Sequence, residues 1–189
     1  MDNSLEIVVA RDCDALAALI AQWEDLAAHA LEPNPAYEHW MMLPALQAAE
    51  LDGFVCVLVR RGGRLEALFP FQRVRRLKGM APSTLTSWRH PSWMLCTPLV
   101  RAESARECLA ALFDWFDREG EPIAEFRYLP SDGRFHGALA DALRGRNAMI
   151  LATDSFSRAL LGERRTMQNL VVGVGAWGEF WASMFPAAR

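Results

Sequence analysis

Long apolar runs are missing from this chain of 189 residues. No stretch approaches the roughly 18–20 residues that a helix needs to cross a bilayer, so no transmembrane segment is expected. An excess of positive charge is missing too. Lys and Arg number 20 against 23 Asp and Glu, for a formal net charge of −3, and nothing in that balance calls for nucleic acid or an anionic membrane as a partner. Cysteine is scarce. Cys13, Cys56, Cys96 and Cys108 stand far apart with no C-x-x-C pair, which argues against a disulfide framework and a zinc knuckle. They read as reduced, buried thiols of a cytoplasmic protein. The start of the chain, Met1 to Glu6, is acidic and polar, unlike a signal peptide.

The motifs of common chemistries are absent as well. There is no G-x-x-x-x-G-K-[ST], no H-E-x-x-H and no G-x-S-x-G. His29, His39, His90 and His136 are scattered without ligand spacing, so no metal site is expected. Gly173-Val-Gly175 is a G-x-G fragment without the third glycine of a phosphate cradle. Arg73, Arg75, Arg76 and Lys78 form a basic strand end, which reads as a solvated edge that discourages aggregation.

What is present is a globular composition, 52% hydrophobic and 23% charged. At this length about two-thirds of the unfolded surface is buried on folding, enough for a core without metals or disulfides. Strand and helix signals alternate. Leu5 to Ala10 reads as a strand, followed by a helix capped by Asp12 or Asp14, with Leu16, Leu19, Ile20, Trp23 and Leu26 on one face. Glu32-Pro-Asn-Pro35 stops it. Tyr37 to Ala49 is helical, with Pro44 expected to kink or divide it. Phe54 to Arg60 and Leu65 to Leu77 are strands joined by a glycine hairpin, Arg61 to Arg64. Pro70 demands a bulge or a strand edge. Ser104-Ala-Arg-Glu107 reads as a capping box opening a helix whose apolar face is Cys108, Leu109, Leu112, Phe113 and Phe116. Ile123 to Leu129 is a strand, Pro130 to Gly133 a turn, Phe135 to Leu143 a helix, and Met149 to Thr153 and Phe156 to Leu161 two strands. There is no repeat or linker, which argues for one domain, taken as residues 1–165. Residues 166–189 are an apolar tail in which Trp177, Phe180, Trp181, Met184 and Phe185 fall at helical spacing.

The segment from Ser87 to Pro98 gathers two tryptophans, a histidine, a cysteine and hydroxyl groups between strands. Loops of this kind are where ligand chemistry sits. His90 is a candidate proton acceptor. The other reading is that Trp88 and Trp93 anchor the loop in the core.

Trp23-Glu-Asp-Leu-Ala, Glu32-Pro-Asn-Pro-Ala-Tyr-Glu-His-Trp40, Gly63-Arg-Leu-Glu-Ala-Leu-Phe-Pro70, Trp88-Arg-His-Pro, Thr97-Pro-Leu99 and Leu129-Pro-Ser-Asp-Gly133 together resemble the N-terminal half of GNAT-type acyltransferases of the FemAB-like, cellulose-biosynthesis (CelD-like) group. The resemblance runs from about Leu5 to about Leu161. It implies an α/β (α+β) fold, a single GNAT-like lobe with a mixed, mainly antiparallel sheet flanked by helices near 14–30, 36–49 and 104–118. It implies acyl transfer to an amine, with acyl-CoA as co-substrate and no tightly bound cofactor. The substrate-facing residues would be Asn34, Tyr37, Trp88 and His90. Family members pair two lobes, and the pyrophosphate loop of the R/Q-x-x-G-x-G/A type is absent from this chain. The expected partner is therefore a second acyltransferase lobe or a second copy. The alternative is a non-catalytic binding or assembly module.

Overall fold

The structure is a computed structural model, and it describes residues 4–74, 83–121, 123–160 and 163–174. β1 (Leu5–Ala10) leads into α1 (Cys13–Ala17), whose first turn is capped by Asp12 accepting from the Ala15 N–H at 2.8 Å. The single helix expected next is two. The Leu19 N–H bonds Leu16 O, one residue short of the α pattern, and α2 (Ile20–Ala28) then starts afresh. The break lets α1 pack on α3 while α2 packs on β3. Leu16, Trp23 and Leu26 are buried, whereas Leu19 and Ile20 are half-buried.

A 3₁₀ turn (Pro35–Tyr37) precedes α3 (His39–Gln47). The division falls at Glu38 and not at Pro44, which lies inside α3. Pro44 has no N–H to offer the carbonyl of Trp40, and both residues lie on the exposed side of the helix.

β2 (Phe54–Arg61) and β3 (Arg64–Val74) are an antiparallel hairpin. Gly62 and Gly63 turn it with φ of 54° and 87°, the left-handed pair that a tight hairpin requires. Along β2 the side chains alternate. Val55, Val57 and Val59 enter one core and Phe54, Cys56 and Leu58 the other. Both faces of the strand are buried, which is why it reads as an unbroken apolar run.

Pro70 divides the far side of β3 between two strands. There β3 pairs with β4 (Thr84–Ser87) through Phe71 to Val74, and with β5 (Leu99–Val100) through Ala67 and Leu68. Pro70 falls in the gap between them. Its carbonyl accepts from the Trp88 N–H at 2.9 Å, so its missing N–H would face that same gap. The edge it needs is local, and Trp88–Pro98 leaves the sheet there.

A 3₁₀ turn (Ala102–Ser104) opens α4 (Ala105–Glu119), which ends on left-handed Gly120. The expected capping box is not formed. The Ser104 hydroxyl instead donates to Glu66 Oε2 at 2.6 Å, and Glu107 pairs with Arg61. The predicted apolar face of α4 is buried throughout. β6 (Ile123–Pro130) and α5 (Arg134–Leu143) match the sequence reading. β7 (Ala148–Leu160) is one strand where two were expected, because an irregularity between Ala152 and Asp154 absorbs the polar interruption. β8 (Glu163–Val174) runs across residue 165, where a tail was expected to begin. The aromatic positions 177–185, together with Arg75, Arg76, Lys78 and Gly175, lie outside the described residues.

The strands order as β1-β2-β3-β4-β6-β8-β7 in an eight-stranded sheet, with β5 beside β3. Among the described residues every strand pairing is antiparallel except β4 with β6. Helices α4 and α5 cover one face, and α1, α2 and α3 the other. This is the mixed, mainly antiparallel sheet flanked by helices that the sequence implies. Among the described residues no helix is long and apolar enough to cross a membrane.

Candidate functional site

Parallel β4 and β6 pair at only two positions, Leu85 with Ala124 and Thr86 with Glu125, and then part. Beyond that point β6 bulges between Phe126 and Leu129. Tyr128 sits in the bulge with φ of 50°, a left-handed conformation that strains a non-glycine residue. Two N–H groups of the bulge are held by side chains. Arg127 N donates to Ser87 Oγ at 3.2 Å and Tyr128 N to Asn169 Oδ1 at 2.9 Å. The chain segment Trp88–Pro98 lies against this splay, with the Cys96 N–H directed at Tyr128 O and the Arg89 guanidinium over the Tyr128 ring.

The four residues singled out from the sequence gather around this segment, though most turn inward. Asn34 is fully buried. It donates to Thr97 O at 2.8 Å and accepts from the Ala36 N–H. Tyr37 is fully buried, and its hydroxyl donates to Trp88 O at 2.7 Å while its carbonyl accepts from Trp23 Nε1. Burial pushes the Tyr37 phenol well above its ordinary range. Trp88 meets Phe54 and Trp93 edge to face at 5.9 and 5.5 Å. His90 alone of the four is half-exposed. Its Nδ1 accepts from the Ser92 N–H, and its ring tilts against Trp93. Cys96 is buried, and burial raises its thiol to about 11, which leaves it protonated at neutral pH.

At the N-terminus of α4 the charges are paired among themselves. Glu66 is fully buried, receives the Ser104 hydroxyl and is bonded by Arg64 Nε at 2.7 Å. Arg64 also reaches Glu103, Arg101 pairs with Asp25, and Arg61 with Glu107. Burial would raise the Glu66 carboxyl, but the Ser104 hydrogen bond and the Arg64 and Arg101 guanidiniums overcome this and hold it below the usual carboxylate range. Arg61, Arg64 and Arg101 are thus engaged by carboxylates, while Arg106, exposed in the first turn of α4, stands outside these pairs.

A cleft of about 450 Å³ opens at the C-terminal end of β6. Its walls come from the loop after α2, from the segment that leaves β4, from the turn into α5, and from Met167 of β8. Glu32 crosses to α5 and accepts from the Phe135 N–H at 2.7 Å, capping a helix whose own cap residue, Gly133, has no side chain. Sequence reasoning missed this cleft. Glu32 and Asp132 registered only as parts of a helix stop and a turn, and the 103 residues between Glu32 and Phe135 leave no local signal. Among the described residues no group of His, Cys, Asp or Glu is placed to hold a metal ion.

Neither protein-family models nor curated proteins give a match to this chain. Solved structures do. It is similar to yncA of Salmonella typhimurium, assigned to the acetyltransferases and solved with its cofactor acetyl-CoA. That match has 17% identity and a TM-score of 0.52 over 92% of this chain and 96% of that one. A GNAT-family acetyltransferase of Streptococcus pneumoniae matches at 12% identity and a TM-score of 0.50, over 90% and 100%. An N-acetyltransferase of Staphylococcus aureus matches at 10% and 0.51, over 89% and 96%. The mixed sheet, its single parallel junction and its helices on both faces are thus the fold of the GNAT acetyltransferases.

Proposed function

We propose that the chain is a GNAT-type N-acyltransferase lobe, moving an acyl group from an activated donor of the thioester class to an amine. The observation that supports it best is the splay of β4 from β6 with a cleft at its open end. In the reaction the neutral amine attacks the acyl carbonyl, the carbon–sulfur bond breaks, and the amine's proton leaves to a base while the thiolate takes up a proton. Such chemistry depends on positioning and a proton acceptor more than on a reactive side chain. Half-exposed His90 is the acceptor candidate, and Asn34, Tyr37 and Trp88 shape the segment that presents it. Acyl-CoA is a donor of the right class. Arg61, Arg64 and Arg101 around the start of α4 are already paired with carboxylates, which leaves Arg106 alone there for its phosphates, so a second lobe or a second copy completes the donor site.

The occupied N–H groups of Arg127 and Tyr128 favour a second reading. With those donors already committed to side chains, the lobe serves as a non-catalytic binding or assembly module.

Amine-dependent thiol release decides between them. With hexylamine as acceptor, S-acetyl-N-acetylcysteamine, a thioester without phosphates, is expected to serve as well as millimolar acetyl-CoA. No amine-dependent release from either thioester overturns acyl transfer by this chain on its own and favours the module reading. A low-micromolar dissociation constant for acetyl-CoA in calorimetry overturns the inference that phosphates are poorly received.

A further inference from the structure

Leu31, Pro33, Met94, Leu95, Pro130 and Met167 wall the cleft at the end of β6 with apolar surface. Its charged side chains are Glu32, Asp132 and Arg134. Glu32 is half-buried and fixed by its bond to Phe135 N, while Asp132 and Arg134 are exposed at the mouth. A volume of about 450 Å³ lies within the usual range for small-molecule sites, and methionine walls adapt to irregular shapes. The charge selects the occupant. An anion meets two carboxylates against one guanidinium. A purely apolar body strips water from the Glu32 carboxylate and returns no partner. A cation on an apolar body satisfies both parts of the surface.

We infer that this cleft binds a primary ammonium group carried on an apolar body, with Glu32 and Asp132 receiving the ammonium. The occupant is the acceptor amine of the proposed acyl transfer, and the assignment rests on that reading.

Calorimetry without any acyl donor tests it with hexylamine, hexanoate and methylamine. Hexylamine is expected to bind at least about tenfold more tightly than either of the others, a difference of about 1.4 kcal/mol. Asp132→Asn, alone and with Glu32→Gln, is expected to weaken hexylamine by a similar factor while the melting temperature holds, because glutamine still accepts from the Phe135 N–H. Met94→Trp, which fills the cleft, is expected to abolish binding. Equal binding of hexanoate, wild-type affinity in the carboxylate variants, or no hexylamine binding at millimolar concentration each overturns the assignment. Thiol release separates this failure from that of the enzyme reading. If hexylamine binds the cleft but is never acylated, the acyltransferase reading falls and the cleft assignment stands. If Met94→Trp acylates hexylamine as fast as wild type, the cleft assignment falls alone.

Discussion

At Gly133 an added Cβ would lie 2.5 Å from Glu32 Oε1, so a larger residue there would push aside the flexible carboxylate that caps α5. Gly133→Ala is expected to cost about 0.5–2 kcal/mol by displacing that cap. Glu32→Ala should cost about 0.5–2 kcal/mol through the lost cap. In the double variant the clash is gone, so its cost should fall short of the sum of the two. Urea denaturation of all three reads the coupling, and strict additivity would show that the two residues do not share a contact. Glu66 supplies a second residue-level expectation, in acid. Its carboxyl is held low in the folded protein, so the unfolded chain binds a proton first as pH falls. The stability from Glu66 is therefore present above its ordinary range and lost as pH drops through the depressed folded value. Melting curves between about pH 6 and pH 3 should fall more steeply for wild type than for Glu66→Gln. Parallel slopes would mean that the Ser104 and Arg64 bonds do not select the ionised form.

The segment from Trp88 to Pro98 behaves as an element of its own, pinned at three buried points. Tyr37 holds Trp88 O, Asn34 holds Thr97 O, and Trp93 packs edge-on against Trp88 and Tyr37. Tyr37→Phe keeps the ring and orphans the Trp88 carbonyl, at an expected cost of about 1–3 kcal/mol. His90→Ala, at the half-exposed tip, should stay within about 0.5 kcal/mol of wild type while reducing any acyl transfer. A His90→Ala loss as large as that of Tyr37→Phe in thermal melts would make His90 structural. The sequence announced this segment by its aromatics, and announced β2, the glycine hairpin and the buried face of α4 by local pattern. What it concealed depends on partners far along the chain. Ser104 and Glu107 spell a capping box, yet a buried acid 38 residues away takes the Ser104 hydroxyl. Asn34 looked like a ligand-facing amide, and its partner is a backbone carbonyl 63 residues away. The apolar pattern of β7 breaks at Asp154, and a strand irregularity carries the ladder through. The amine cleft has no sequence signature because four separate segments assemble it.

For the molecule as a whole, the partner is the open expectation, and residues 177–185 bear on it. Their five large apolar side chains at helical spacing are worth about 1.5–3 kcal/mol each when covered. The intact chain is accordingly expected to run as a dimer in sedimentation, and a chain ending at Val174 as a monomer. Two monomeric profiles would remove the self-association idea. The shortened chain must retain residues 166–174, because β8 pairs with both β6 and β7. That placement has a consequence during synthesis. β6 and β7 leave the ribosome before the strand that joins them, so each waits with an open ladder edge. In that interval the nascent chain offers unpaired backbone N–H and C=O groups and apolar side chains to its neighbours, the condition under which misassembly competes with folding and chaperones act. A premature stop codon between β7 and β8 therefore takes away the strand that joins them, leaving β6 as an edge and β7 without its ladder partner.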